Sequence, residues 1–368
     1  MNSISDLVLS YFDMVDEQWM QRQRLLNTRK IFGYITEAAI SKKGIDHIIL
    51  QDNAALSPAA LCRARQKLPI DAFYYINETI IHNNAQLSRV FAVDGSKVHV
   101  PASFKSYGYK SRTNDKPVSR KAKHPLAMIS SLVDVHTNLC CDYILSKHFN
   151  ERTSAIEHLK QLQSGDIVIF DRGYFSSDLY NRYSEQCVDT VFRLKCDHFK
   201  AVASFVKSAK SDKVLTTVVN KQTLRIRLLK YYIQDKLYVI GTSLFSTSKK
   251  AIAQLYRQRW NVELSFRRLK SNLNLNYSFC LKESTWKQTV QARVLADTIS
   301  MLLKKHSPVP TRPVLHLRRF VKTCRSGLRY KSDMIHDCMR GHYNFERDQS
   351  KQLFMMMYIC FSSIGSET

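Results

Sequence analysis

The chain has 368 residues, 44% of them hydrophobic and 24% charged. That balance excludes a disordered, collagenous or small disulfide-stapled protein, and the length suits two to three packed units of roughly 150 residues each. Fifty-six Lys and Arg against 31 Asp and Glu leave a net charge of +25, an excess beyond what solubility needs, best explained by a polyanionic partner such as nucleic acid.

No apolar run approaches the roughly 20 residues of a membrane-spanning helix, and the acidic opening MNSISDLVLSYFDMVDEQW lacks the basic start of a secretion signal. The nine cysteines are scattered without a C-x-x-C pair, so neither a zinc ribbon nor a disulfide framework is expected. The expectation is a cytoplasmic protein with no membrane partner.

Along the chain, residues 1–85 read as helical. Ser57 and Pro58 are a cap and first-turn proline for a helix reaching Leu68, with Arg63, Arg65 and Lys67 facing either phosphates or solvent. From Val90 the pattern turns to strands. Val90–Val93 and Lys97–Val100 are predicted as two short strands, with Asp94-Gly95-Ser96 as the turn between them. Residues 102–124 mix cations, including Lys110 and Arg112, with Phe104, Tyr107 and Tyr109; such a loop suits a nucleic-acid backbone or a solvated surface. Two β-rich runs around His136-Thr137 follow, then a helix from Glu151 to Leu162. The apolar strand Asp166–Phe170 delivers Asp171-Arg172-Gly173-Tyr174 at its C-terminal end. Residues 176–247 read as a separate β-rich piece.

One long helix is predicted from Ser248 past Lys270, since no Gly or Pro interrupts it. On it Tyr256, Arg259, Glu263 and Lys270 stand at offsets of 3, 7 and 14, which at about 100° per residue falls within roughly a 60° stripe. An exposed helix with Glu263 paired to Arg259 would also account for that stripe. A second helix covers 285–305, followed by a basic tail. Two acids at strand ends, Asp94 and Asp171, and a third on a helix, Glu263, in a strongly basic chain point to a divalent-metal site on a nucleic-acid enzyme. His99, His124 and His136 lack the spacing of a zinc site.

The segments Asp94-Gly95-Ser96, Asp171-Arg172-Gly173-Tyr174 and LYRQRWNVELSFRRLK resemble the DDE transposases of bacterial insertion sequences, in particular the insertion sequence 4 family. Its Tyr-x2-Arg-x3-Glu-x6-Lys signature is matched by Tyr256, Arg259, Glu263 and Lys270 without a gap, and the resemblance covers about two thirds of the chain. It implies an α/β fold with a ribonuclease H-like catalytic core interrupted by a β-rich insertion and flanked by helical N- and C-terminal regions. The implied divisions are 1–85 (helical, DNA-binding), 86–175 and 248–305 (core), 176–247 (insertion) and 306–368 (basic helical tail).

Asp94, Asp171 and Glu263 are the implied catalytic and metal-binding triad for two Mg²⁺ or Mn²⁺ ions. Tyr256, Arg259, Lys270, Arg172, Arg63, Arg65, Lys67, Lys110 and Arg112 are the implied DNA contacts. The implied reaction is cleavage at terminal inverted repeats and transfer of the 3′-hydroxyl into target DNA, by a homodimer in the synaptic complex acting at the bacterial nucleoid. An inactive DNA-binding relative and a structure-specific ribonuclease H-like nuclease remain the alternatives. Some relatives hold a flipped base with a Trp in the insertion; here the Trp residues are 19, 260 and 286, leaving Phe192 or a tyrosine as the substitute.

Overall fold

The structure is a computed structural model that describes residues 4–20, 25–52, 56–84, 87–111, 124–277, 280–305 and 313–326. In chain order it contains α1 (Ile4–Trp19), α2 (Thr28–Ser41), α3 (Ile45–Gln51), α4 (Pro58–Lys67), α5 (Ala72–Asn84), β1 (Val90–His99), β2 (Leu126–Asp134), β3 (Cys140–Ser146) and α6 (Glu151–Glu157). There follow β4 (Ile167–Phe170), α7 (Ser177–Glu185), β5 (Asp189–Leu194), α8 (Lys200–Lys207), β6 (Asp212–Val219), β7 (Gln222–Ile233), β8 (Lys236–Thr242), α9 (Lys249–Gln258), α10 (Trp260–Ser271), α11 (Glu283–Lys305) and α12 (Pro313–Ser326). Two compact units emerge: Ala85–Arg267, and Met1–Asn84 with Arg268–Thr368. The boundary between them falls inside α10.

The Ala85–Arg267 unit is built on one eight-stranded sheet in the order β3-β2-β1-β4-β5-β8-β7-β6. Its first five strands form the ribonuclease H-like core: β1 runs antiparallel to β2 and parallel to β4, and β4 runs parallel to β5. Strand β4 is the short, continuously apolar Ile-Val-Ile-Phe of a strand covered on both faces. Phe170 stacks on Phe192 at 4.6 Å, and Tyr183 of α7 meets Phe170 edge-on at 5.3 Å. Phe192 is fully buried in this stack, so it belongs to the core and offers no face to a nucleic-acid base.

Two sequence expectations change here. Asp94-Gly95-Ser96 is not a turn: β1 is continuous through these residues because β2 runs alongside, pairing Asp94 with Ser131, Gly95 with Ser130 and Ser96 with Ile129. Nor do the strands of residues 176–247 stand apart. Strand β8 pairs antiparallel with β5, Phe192 opposite Gly241, so β6, β7 and β8 extend the core sheet and fall in its compact unit. At Gly241 an added Cβ would come within 2.8 Å of both Ile226 and Leu194, and a larger residue would force these strands apart.

The Met1–Asn84 and Arg268–Thr368 unit is helical. Ser57 caps α4, its Oγ accepting the Ala60 N–H at 3.2 Å, with Pro58 in the first turn. Phe12, Phe32, Phe73 and Phe320 pack together, and α2 approaches α12 so closely that a Cβ on Gly33 would sit 2.8 Å from Arg325 Cγ. Helix α11 is buried along most of its length and carries polar side chains that bind backbone inside this unit. Gln288 Nε2 donates to Arg65 O and Leu68 O, and Arg293 donates to Asn274 O, Leu275 O and Tyr277 O.

Arg65 is a correction to its expected place on a DNA-facing surface. It is buried, and its guanidinium donates to Thr285 O at 2.6 Å and Thr289 Oγ1 at 2.7 Å. Arg63 and Lys67, on the same helix, are exposed.

Candidate functional site

Register alone brings the first two acids together. The parallel pairing of β1 with β4 runs from Val90 opposite Ile167 to Val93 opposite Phe170, where β4 ends. Asp94 and Asp171 are the residues that follow Val93 and Phe170, and neighbouring strands lie about 4.8 Å apart. Asp171 opens a turn closed by the Tyr174 N–H on Asp171 O at 3.2 Å.

Glu263 arrives from the helical segment that closes the unit. The single long helix expected there is divided at Arg259 into α9 and α10. The notch is a tight 3-10-type turn, with Arg259 N–H on Tyr256 O and Val262 N–H on Arg259 O, both at 3.2 Å. Neither Gly nor Pro marks it; tightened turns within helices often accompany a functional constraint. The segment docks on the β2–β3 turn, where Asn261 Nδ2 donates to Val135 O at 2.5 Å and Gln258 Nε2 lies 3.3 Å from His136 Nε2.

Arg259 lies among the acids. Its Nη1 is 3.5 Å from Asp94 Oδ2, and its Nη2 hydrogen-bonds Glu263 Oε1. The Tyr256 hydroxyl donates to Asp171 Oδ1 at 3.1 Å, and Arg193 Nη1 is 4.0 Å from the same oxygen. Among the described residues no group of three His, Cys, Asp or Glu stands arranged to hold a metal ion as it is. The protein's own donors hold the carboxylates instead, as expected of acids that would otherwise repel one another.

Burial is the main influence on ionisation. It pushes the Asp94 carboxyl up to about 6; the Gly95 N–H and Arg259 oppose the rise, and Glu151 and Asp171 add to it. Tyr256 is raised far above an ordinary phenol by burial and by the Asp171 charge. Burial works against the Arg259 charge, yet the bond to Glu263 and the charge of Asp171 keep its pKa above the usual value. All the candidate metal donors are carboxylate oxygens, the hard ligands that magnesium and manganese prefer. A buried acid beside further acids also gains from a nearby divalent charge, so the residues fit such an ion.

The Asp94 shift has a measurable consequence. An unfolded Asp titrates near 3.9, so the stability linked to the raised folded value is fully present below about pH 4 and is lost as pH rises through about 6. At pH 7 the loss is on the order of 3 kcal/mol. Asp94→Asn escapes it. In calorimetry with EDTA the variant is expected to melt about 5–10 °C above the parent at pH 7, with the gap closing at pH 4. An unchanged melting temperature at both pH values would contradict this account of Asp94.

Of the other expected contacts, Arg172 and Lys110 are exposed. Lys270 is half-buried, with its pKa lowered by burial, and falls in the other compact unit from Tyr256, Arg259 and Glu263. Arg112 lies outside the described residues. Arg193, Glu151 and Tyr174 stand at the site although the sequence reading gave them no role. Arg193 stacks over Tyr238 at 4.5 Å while facing Asp171. The charges of Glu151, Asp94 and Asp171 all act on the buried Tyr174 hydroxyl. An acid opening a helix is ordinary in sequence, so nothing singled out Glu151.

A curated relative, the probable transposase for insertion sequence element IS5377 of Geobacillus stearothermophilus, is 29% identical over 181 residues, 46% of this chain and 48% of its own length. The chain thus spans about half the length of that relative. Among solved structures, the cryo-EM structure of a piggyBac transposase synaptic complex with hairpin DNA aligns with 95% of this chain and 87% of its own, at a TM-score of 0.56 and 11% identity, a likeness of fold. The transposase DDE domain pattern matches residues 85–296, more than half the chain and inclusive of Asp94, Asp171 and Glu263, and on that match the chain belongs to the transposase DDE domain family.

Proposed function

We propose that this chain is a DNA transposase of an insertion sequence, of the insertion sequence 4 group, that binds terminal inverted repeats, cuts at the element's ends and joins the freed 3′-hydroxyl to target DNA. The observation that carries the reading is the β1–β4 register, which leaves Asp94 and Asp171 adjacent as the pairing ends, with Arg259 linking Asp94 to Glu263. Family membership and the relative's description as a probable transposase support it. The fold-level neighbour was captured in a synaptic complex with DNA, which supports pairing of two ends by a homodimer. Such an enzyme works at the bacterial nucleoid.

Asp94, Asp171 and Glu263 would hold two Mg²⁺ or Mn²⁺ ions. Held by these carboxylates, such ions would supply Lewis-acid stabilisation of the attacking and leaving oxygens in displacement at phosphorus. The chain's own groups position the DNA. Arg259 and Tyr256 bond the acids and would turn to phosphate oxygens when DNA binds, Arg259 through its forked donors. Lys270, Arg172, Arg63, Lys67, Lys110 and Arg112 supply further phosphate contacts, which set affinity rather than sequence preference. The N-terminal helices would read the repeats. The raised Tyr256 pKa keeps the phenol neutral, so it donates a hydrogen bond without adding negative charge.

The test uses linear duplexes carrying the inverted repeats that flank the gene, incubated with full-length protein and either Mg²⁺ or EDTA. Cutting at the repeat boundaries, with free 3′-hydroxyl ends and only with Mg²⁺, is the expected result. Repeat binding without cutting would identify an inactive relative. Cutting of branched or RNA-containing molecules regardless of the repeats would identify a structure-specific nuclease.

A further inference from the structure

The acids at the end of the β1–β4 pairing include a fourth carboxylate. Glu151 is the first residue of α6, which follows β3 and is capped by Asn150. Its side chain reaches over the backbone on either side of the Asp94 and Asp171 positions. A Cβ built on Gly95 would lie 2.9 Å from Glu151 Oε1, and one built on Gly173 would lie 3.8 Å from Oε2. The absence of a side chain at position 95 is therefore what makes room for this carboxylate.

Its placement is fixed by contacts along the whole segment. Arg152 donates through Nε and Nη2 to Gly173 O at 3.2 and 3.0 Å, tying the start of α6 to the turn after β4. The Tyr183 hydroxyl of α7 donates to Ala155 O at 2.7 Å. Just past α6, His158 is fully buried, with Nδ1 2.7 Å from Asp142 Oδ2 on β3 and Nε2 3.0 Å from Ser130 Oγ on β2. This Ser-His-Asp arrangement is closed to substrate by burial, and its work is to anchor the α6 segment on the sheet.

A second and independent observation comes from Tyr174. It is almost completely buried, and its hydroxyl has no hydrogen-bond partner among the described residues. A buried hydroxyl without a partner costs on the order of 1–3 kcal/mol and calls for an explanation, such as a ligand that completes it.

We infer that Glu151 is a fourth carboxylate of the divalent-cation site and that the hydroxyl of Tyr174, which follows Gly173 in the turn after Asp171, donates to the loaded cluster. The inference rests on the two-ion reading of Asp94, Asp171 and Glu263 and deepens it. Ions of the magnesium type take carboxylate oxygens and complete their shells with water and substrate phosphate, and a fourth carboxylate would bring the formal negative charge of the site level with that of two divalent cations.

The experiment measures Mn²⁺ binding to the full chain without DNA, by the loss of the free Mn²⁺ signal in electron paramagnetic resonance. The parent is compared with Glu151→Gln, Gly95→Ala and Tyr174→Phe, folding being checked by circular dichroism. Position 95 does not have a left-handed φ, so alanine adopts its backbone while its Cβ displaces the Glu151 carboxylate. Glu151→Gln and Gly95→Ala are each expected to weaken Mn²⁺ binding about tenfold or more, and Tyr174→Phe severalfold. If Glu151→Gln fails to fold, Glu151→Asp, which keeps the charge and shortens the reach, takes its place with the same expected direction. Parent binding matched by the Glu151 and Gly95 variants would overturn the inference and leave the three-acid site standing. A parent that binds no Mn²⁺, although folded, would instead sink the two-ion reading beneath it.

Discussion

Glu263→Gln is expected to abolish Mg²⁺-dependent cleavage at the element's ends, by on the order of 1,000-fold or more, with affinity for the same DNA changed by less than about threefold. The amide keeps an oxygen that accepts from Arg259 and so keeps the α9–α10 segment in place, but it removes the negative charge that would hold a divalent ion. Several kcal/mol of transition-state stabilisation depend on that charge, and each 1.4 kcal/mol is tenfold in rate. Asp171→Asn should behave alike, because its oxygen still accepts the Tyr256 hydroxyl. Single-turnover cleavage and gel-shift titration of one labelled end duplex separate the two quantities. Equal loss of cutting and binding would make these residues structural.

Arg65 gives the second large effect, on stability. Its guanidinium is committed to Thr285 O and Thr289 Oγ1 inside the helical unit, so Arg65→Met leaves two buried acceptors without that donor. The expected cost is about 2–4 kcal/mol, a fall in melting temperature of roughly 5–12 °C for a unit of this size. DNA binding, measured well below the melting temperature, should keep the parent's salt dependence. Arg63→Ala and Lys67→Ala, on the exposed face of α4, should leave the melting temperature alone and each reduce the slope of log affinity against log salt by about one. Lost affinity at an unchanged melting temperature in Arg65→Met would reverse the assignment.

These cases show where sequence was sufficient and where it was not. Local chemistry was legible: Ser57 and Pro58 start α4, and the apolar run before Asp171 is β4. The spacing of Tyr256, Arg259 and Glu263 marked a segment that does bring Tyr256 to Asp171 and Arg259 to Asp94. What depended on distant partners was not legible. Gly95 and Ser96 look like a turn, and only the pairing with β2 keeps them extended. Arg65 looks like a surface cation until α11, some 220 residues later, covers it. The notch at Arg259 carries no breaker residue, and Glu151 reads as an ordinary first-turn acid until the sheet places Gly95 and Gly173 beside it.

Manganese anomalous scattering from crystals of the full-length protein soaked in Mn²⁺ tests the central claim most directly. The account predicts anomalous peaks within coordination distance of Asp94 and Asp171, with Glu263 freed from Arg259 to join them. Crystals in which manganese binds elsewhere, or in which those acids stay paired with Arg259 and Tyr256 at saturating manganese, would contradict it.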